Sequence, residues 1–494
     1  MSTPDPAPED GPADDTLAMS PWETALATPT LHDFGLSPQT IHRVLVAALN
    51  KGGDFSELFV EYRLSASILM EEDIIKRTAE NVSMGAGLRV LAGDRTGYAY
   101  TNDLSFSALR RAAVTASSIA TGGARLWVAP LVASLPPRQV YDLELTMALL
   151  PLEARLEIVR RAYAAALAFD RRITRVQVHY ADAIRHVLIA NSEGLQVSDV
   201  RPQVRLAVLA LAEDKGARNQ GFGTGGGRVG LGYFRKVLTP EQIANSAAEE
   251  AITLLEAIDP PAGEQPVVLG AGKSGVMIHE AVGHPLEADG NRKGTSIMAN
   301  RLGATVATPQ VTVYDDPTIP HLRGSLNVDD EGTPTQRTVL IDRGKLVGYL
   351  QDRLSARLMG MPLTGNGRRE SYQHYPIPRM TNTVLAQGPY EPEEVIASVK
   401  RGFYAKTFQG GQVEDSGKFV FSVNLGYLIE QGRLTRPVKN ATVIGTTVEV
   451  LKNISMVGND MGFFLGTCGK DGQAASVTAG TPTLRIDEMV VGGR

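Results

Sequence analysis

Cysteine is almost absent from this chain: among 494 residues there is one, Cys468, so no internal disulfide can form. Such usage fits a reducing compartment, and a cytoplasmic location is expected. A basic excess is missing too, since 49 Lys and Arg stand against 54 Asp and Glu for a formal net charge of −5. Nucleic acid, which demands a positive footprint, is therefore not an expected partner. No apolar run approaches the ~18 residues that a membrane-spanning helix requires, and the first residues lack the basic-then-apolar layout of a signal peptide. No repeat with a period of about 20–50 residues is evident.

Apolar residues, in contrast, make up 43% of the chain, enough for more than one core at this length. Residues 1–30 are acidic and proline-rich and read as a disordered tail. Residues 31–260 read as an α+β domain with an antiparallel sheet. Within it Ser37-Pro38 opens a helix, residues 58–64, 68–77, 87–92 and 97–101 are strands, and residues 106–119 and 151–169 are helices. A meander over residues 173–181, 184–190, 195–200 and 203–212 follows, then a glycine-rich hairpin or flap near residues 221–230. Thr239 and Gln242 form a capping box for one more helix, and Asp259-Pro-Pro-Ala-Gly263 marks the boundary. Residues 261–494 alternate short apolar runs with Gly-containing turns, predicting a β-rich barrel- or sandwich-like domain.

The chemistry concentrates in Val267-Val-Leu-Gly-Ala-Gly-Lys-Ser-Gly-Val-Met-Ile-His-Glu-Ala-Val-Gly-His284. Residues 267–269 read as a strand, residues 270–275 as a turn, and Val276 onward as a helix that Pro285 ends. His279 and His284 flank Glu280, but five residues apart rather than the four of the familiar zinc-protease helix. An ideal helix splays such a pair by roughly 140°, so joint chelation requires a wider, π-type turn, which Gly283 would ease. Glu280 would then stand beside the metal, placed to take a proton from its water. Catalytic zinc commonly has three protein ligands, and Cys468, in the Gly-rich loop expected over Gly466-Thr-Cys-Gly-Lys-Asp-Gly-Gln473, is the soft candidate for the third.

These motifs, with Gly93-Asp-Arg-Thr-Gly-Tyr-Ala-Tyr-Thr101 and Tyr372-Gln-His-Tyr-Pro-Ile-Pro-Arg-Met-Thr-Asn-Thr383, resemble the TldD/PmbA family of cytoplasmic metalloproteases, and its metal-bearing TldD-like subunit in particular. The resemblance spans roughly residues 35–494. It implies one zinc per chain held by His279, His284 and Cys468, with Glu280 catalytic, and a short or unfolded peptide as substrate. It also implies a hetero-oligomer with a PmbA-like subunit, although self-pairing as a homodimer is equally open.

The long segment 363–382 carries His374, Tyr372 and Arg379, candidates for binding substrate through the oxyanion formed when water attacks a peptide carbonyl. Two other functions stay open. Gly270-Ala-Gly-Lys-Ser-Gly275 matches a dinucleotide fingerprint, although the second parallel strand that such a unit needs is not evident downstream. A noncatalytic or regulatory subunit that kept the fold is the other alternative.

Overall fold

A computed structural model describes residues 32–493 apart from 121, 124–126, 142, 144–150, 231 and 415. The tail expected over residues 1–30 lies outside the described residues. Ser37 Oγ accepts from Thr40 N, and Pro38 opens α1 (Pro38–Ala48), which buries Ile41, Val44, Leu45 and Ala48. The chain continues through β1 (Phe55–Glu71), β2 (Ile74–Ala92), β3 (Arg95–Thr101), α2 (Phe106–Ser117) and β4 (Val132–Ser134). Then come α3 (Leu152–Phe169), β5 (Ile173–Asn191), β6 (Leu195–Asp214), β7 (Ala217–Gly227) and α4 (Pro240–Leu255). One seven-stranded sheet results, in the order β3-β2-β1-β5-β6-β4 with β7 also on β6.

Several strand boundaries differ from the sequence-based expectation: β1 runs unbroken through residues 65–67, and β2 begins at Ile74 rather than near residue 87. The strand expected over residues 68–77 turns back at Glu72-Asp73, whose φ values of 53° and 59° belong to a tight hairpin turn usually marked by Asn or Gly. With neither present there is no turn signal. The breaks expected near residues 182 and 201 do not occur, and β5 and β6 run through them unbroken. Asp182 and Arg201 look like loop residues but are buried in ion pairs, to Arg155 at 2.8 Å and to Asp199 at 2.9 Å.

Strand alternation divides the sheet's faces. Leu58 and Val60 of β1 pack under α1 and α2, and Ile68 and Met70 under α3 and α4. On the opposite face Phe59 meets Val328 and Tyr372 from the second half of the chain. The Gly-rich stretch near residue 221 is a hairpin arm rather than a flap: it is β7, antiparallel to β6, a strand on which α4 lies unusually close. A Cβ on Gly221 would stand 2.1 Å from the Ala247 carbonyl oxygen. Gly221→Ala is therefore expected to push α4 off the sheet and cost about 1–3 kcal/mol, read as a lower denaturant midpoint. An unchanged midpoint would contradict this packing.

The second half contributes β8 (Gly263–Leu269), β9 (Val313–Asp315), β10 (Asn382–Leu385), β11 (Arg401–Val413), β12 (Lys418–Glu430) and β13 (Arg433–Thr446). It ends with β14 (Gly462–Lys470), β15 (Gln473–Thr481) and β16 (Leu484–Gly492). β13, β12, β11, β8 and β16 follow one another, and pairing of β13 with β16 closes them into a barrel. A second sheet orders Lys345–Leu346, Thr338–Asp342, β9, β10, β15 and β14, leaving β14 at its edge. The α+β architecture with a β-barrel is thus as expected. Among the described residues no helix is long and apolar enough to cross a membrane.

Candidate metal centre

β8 leaves the barrel through a turn in which Gly272 takes φ 81°, a left-handed value that glycine adopts freely. One helical turn follows over Gly275–Ile278, then a π-helical turn over His279–Gly283 and a 3-10 turn over His284–Leu286. Gly275 lets this helix touch β15, since a Cβ there would lie 2.8 Å from Ala479 O. The widened turn is what a five-residue spacing needs: it brings the two imidazole centroids to 5.1 Å. Gly283 serves a different purpose from the one its freedom suggested. Its φ of −62° is ordinary for any residue, whereas a Cβ would collide with Met380 Sδ at 1.8 Å.

Cys468 is not in a loop. It sits on β14 opposite Ala475 of β15, two residues before the hairpin turn. Its Sγ lies 3.3 Å from His284 Nε2, and one ligand atom from each of His279, His284 and Cys468 falls within 4.8 Å of the others. Burial alone would raise the thiol, yet hydrogen bonds to His279 and His284 bring it down to about 5. His279 is buried and its Nδ1 has no partner. An acidified thiol and two imidazoles, one of them with an orphaned ring nitrogen, make a donor set that fits a borderline-soft divalent ion.

Two charged residues that sequence reasoning passed over orient this set. Glu287 Oε2 stands 2.9 Å from His284 Nδ1, which turns Nε2 toward Cys468. Lys470 Nζ in turn holds Glu287 at 3.0 Å and Asp289 at 2.7 Å. Burial would raise the Glu287 carboxyl, but His284 and Lys470 hold it at about 2. The spacing of Glu287, three residues after His284, was the available signal. Glu280 Oε2 lies 3.7 Å from His284 Nε2, and burial pushes its carboxyl above the usual range. Glu280, His284 and Lys470 line a cavity of about 520 Å³ that Gln412 and Glu414, from the end of β11 and the residues after it, also border.

The residues of segment 363–382 are placed differently. Arg379 is buried and donates to Cys468 O at 2.7 Å and Gln473 O at 3.2 Å, so it braces the β14–β15 hairpin from behind. Tyr372 packs on Phe59 of the first sheet, and its backbone N donates to Glu61 at 3.0 Å. His374 Nδ1 is 3.0 Å from Ser371 Oγ. None of the three lines the cavity beside Glu280, although Arg379 holds the backbone of Cys468 and its charge acts on Glu287. The dinucleotide reading loses its topology too, because the parallel neighbour of β8 is β11, which begins only at Arg401, rather than the next strand along the chain.

Comparison with known proteins agrees over the whole described chain. Family models of the PmbA/TldA metallopeptidase match in three parts: domain 1 over residues 56–120, the central domain over 148–255 and the C-terminal domain over 262–493. A metalloprotease TldD homolog of Haemophilus influenzae is 41% identical over 466 residues, covering 93% of this chain and 97% of its own. A zinc metalloprotease TldD homolog of Saccharolobus solfataricus is 32% identical over 266 residues, 53% of this chain and 59% of its own. The crystal structure of TldE from Thermococcus kodakarensis superposes with a TM-score of 0.74 at 20% identity, covering 92% of this chain and 100% of that one.

Proposed function

The chain belongs to the PmbA/TldD metallopeptidase family, and from that premise we propose that it is a zinc-dependent peptidase acting on short or unfolded polypeptides. The observation that carries the proposal is the convergence of His279, His284 and Cys468 beside Glu280 at the wall of one cavity. Zn²⁺ held by those three residues would supply a Lewis acid that polarises the scissile carbonyl and acidifies water. Glu280 takes the proton from the attacking water at a carboxylate oxygen and hands it on to the leaving amine. Glu287, steadied by Lys470, keeps the proton of His284 on Nδ1 and so keeps Nε2 free to bind metal. Among the described residues β14 pairs on one side only and carries Cys468, so its open edge offers a peptide a place as an added strand beside the candidate metal site. The PmbA-like partner belongs to the same proposal, as does the alternative of a second copy of this chain; the mass of the assembly in solution distinguishes them from a monomer.

Elemental analysis of the purified chain, paired with cleavage of an unfolded polypeptide before and after chelation, tests this function. About one zinc per chain and a chelator-sensitive cleavage are expected. Substoichiometric metal with cleavage undiminished by chelator would refute it. Glu287→Gln removes the outer partner of His284 while leaving all three donors, and is expected to weaken zinc binding about 10–100-fold in competition with a chelator. Equal affinity would mean that Glu287 does not orient the ligand.

A further inference from the structure

The sheet face that meets the second half of the chain carries more positive charge than its carboxylates balance. Arg63, Arg185 and Arg201 stand directly opposite one another on β1, β5 and β6, an arrangement that like charges disfavour. Arg185 and Arg201 are relieved by Glu61 and Asp199, each at 2.9 Å, and Asp330 also pairs with Arg201. Arg63, Arg228, Arg323 and Arg368 form no ion pair among the described residues, although Glu61, Asp199 and Asp330 act from farther off on Arg63, Arg228 and Arg368. The buried three hydrogen-bond to neutral groups instead. Arg228 reaches Pro202 O at 3.3 Å and leaves Nε without a partner. Arg323 reaches Gly466 O at 3.0 Å and Thr467 Oγ1 at 3.2 Å, and Arg368 reaches Ser476 O at 2.8 Å and Met380 O.

These guanidinium groups surround a cavity of about 240 Å³ whose lining includes a single carboxylate, Glu370, already accepting from Ala474 N at 2.6 Å. Burial and repulsion from neighbouring arginines lower Arg323 to about 9, and burial lowers Arg368 to about 10 against the pull of Asp330. A folded protein that holds so much uncompensated charge out of water has paired it with something. The cavity lies on the reverse side of the hairpin from the metal centre. Cys468 faces the histidines, while Thr467, one residue earlier, and Ser476, its cross-strand partner, line the arginine cavity.

We propose that this cavity binds a compact oxyanion, a carboxylate or phosphate group, between Arg228, Arg323 and Arg368 with the Thr467 and Ser476 hydroxyls at its mouth. The planar fork of guanidinium matches the paired oxygens of either group. The volume lies below the roughly 300–1,000 Å³ of sites for drug-sized ligands, so it suits a small ion or one terminal group rather than a whole nucleotide. Bound there, the anion ties β14 and β15 to the first sheet and so steadies the strand that carries Cys468. The site is separate from the peptidase reading and stands without it.

Thermal unfolding of the full chain at matched ionic strength tests the site with four probes: inorganic phosphate, succinate, and a short alanine peptide with either a free or an amidated carboxy terminus. At least one of the first three is expected to raise Tm by about 2 °C or more over chloride, in a concentration-dependent way. A rise with phosphate alone assigns the site to a free ion. A rise with the free but not the amidated peptide assigns it to a chain terminus. Arg323→Gln and Arg368→Gln should abolish the rise while leaving the anion-free Tm equal or higher, because each removes an unbalanced buried charge. Thr467→Val, at the exposed rim, leaves every arginine in place and removes only the hydroxyl that Arg323 also touches, and titration calorimetry should show about two- to tenfold weaker binding of the active probe. No rise with any of the first three probes, a rise that survives both arginine variants, or unchanged affinity in Thr467→Val overturns the proposal.

Discussion

Glu280→Gln is expected to abolish cleavage, lowering the rate by about 10²–10⁴-fold, while the zinc content of the chain stays at the wild-type level. The amide has the shape of the carboxylate but accepts no proton, so the substitution separates proton transfer from metal binding. Glu280 is not among the three converging donors, and its Oε2 stands 3.7 Å from His284 Nε2, near the metal position without belonging to it. Steady-state cleavage of an unfolded polypeptide, measured on samples whose metal content has been determined, checks both halves. Activity within about threefold of wild type would remove Glu280 from the chemistry and favour a noncatalytic subunit. Loss of zinc together with activity would instead make it a ligand.

Cys468→Ser is expected to strip the centre of metal. Serine keeps the size of the side chain but is not ionised near neutral pH, whereas the thiol here is held at about 5 by the two histidines. Losing one of three donors should weaken zinc by more than the about 10–100-fold attached to a lost outer partner. Elemental analysis of wild type beside the variant reads this without any reference to activity. Circular dichroism distinguishes a metal-free but folded chain from a collapsed one. Zinc retained at the wild-type level in Cys468→Ser would mean that the third donor has been misassigned.

Local signals were legible wherever the physics is local. The Ser37 cap with Pro38 behind it and the capping box of Thr239 and Gln242 sit where the residues indicate. The five-residue gap between His279 and His284 even pointed to the wider turn that the helix adopts. What failed was inference from polarity. Cys468 lies among Gly, Thr, Lys and Asp and so resembled a loop, but β14 is a strand because β15 pairs with it along nine residues. Arg379, Tyr372 and His374 looked like substrate-binding groups because their segment is long and rich in Gly, Pro and Arg. In the structure Arg379 grips the hairpin, Tyr372 fills the seam between the two halves, and His374 bonds to Ser371. Ion pairs such as Arg369 with Glu57 have no short-range trace, since their members come from opposite ends of the chain.

Sequence alone pointed to the candidate metal-binding side chains, to the spacing of two of them, and to a chain that mixes helices with antiparallel and barrel strands. Only the tertiary structure brought Cys468, 184 positions beyond His284, to 3.3 Å from its Nε2 and set Glu287 and Lys470 behind the imidazole. It alone placed seven arginines around one small cavity. The reason is physical: caps, turns and helical spacing depend on neighbours a few residues away, whereas strand pairing and buried charge depend on partners that the chain brings together only by folding.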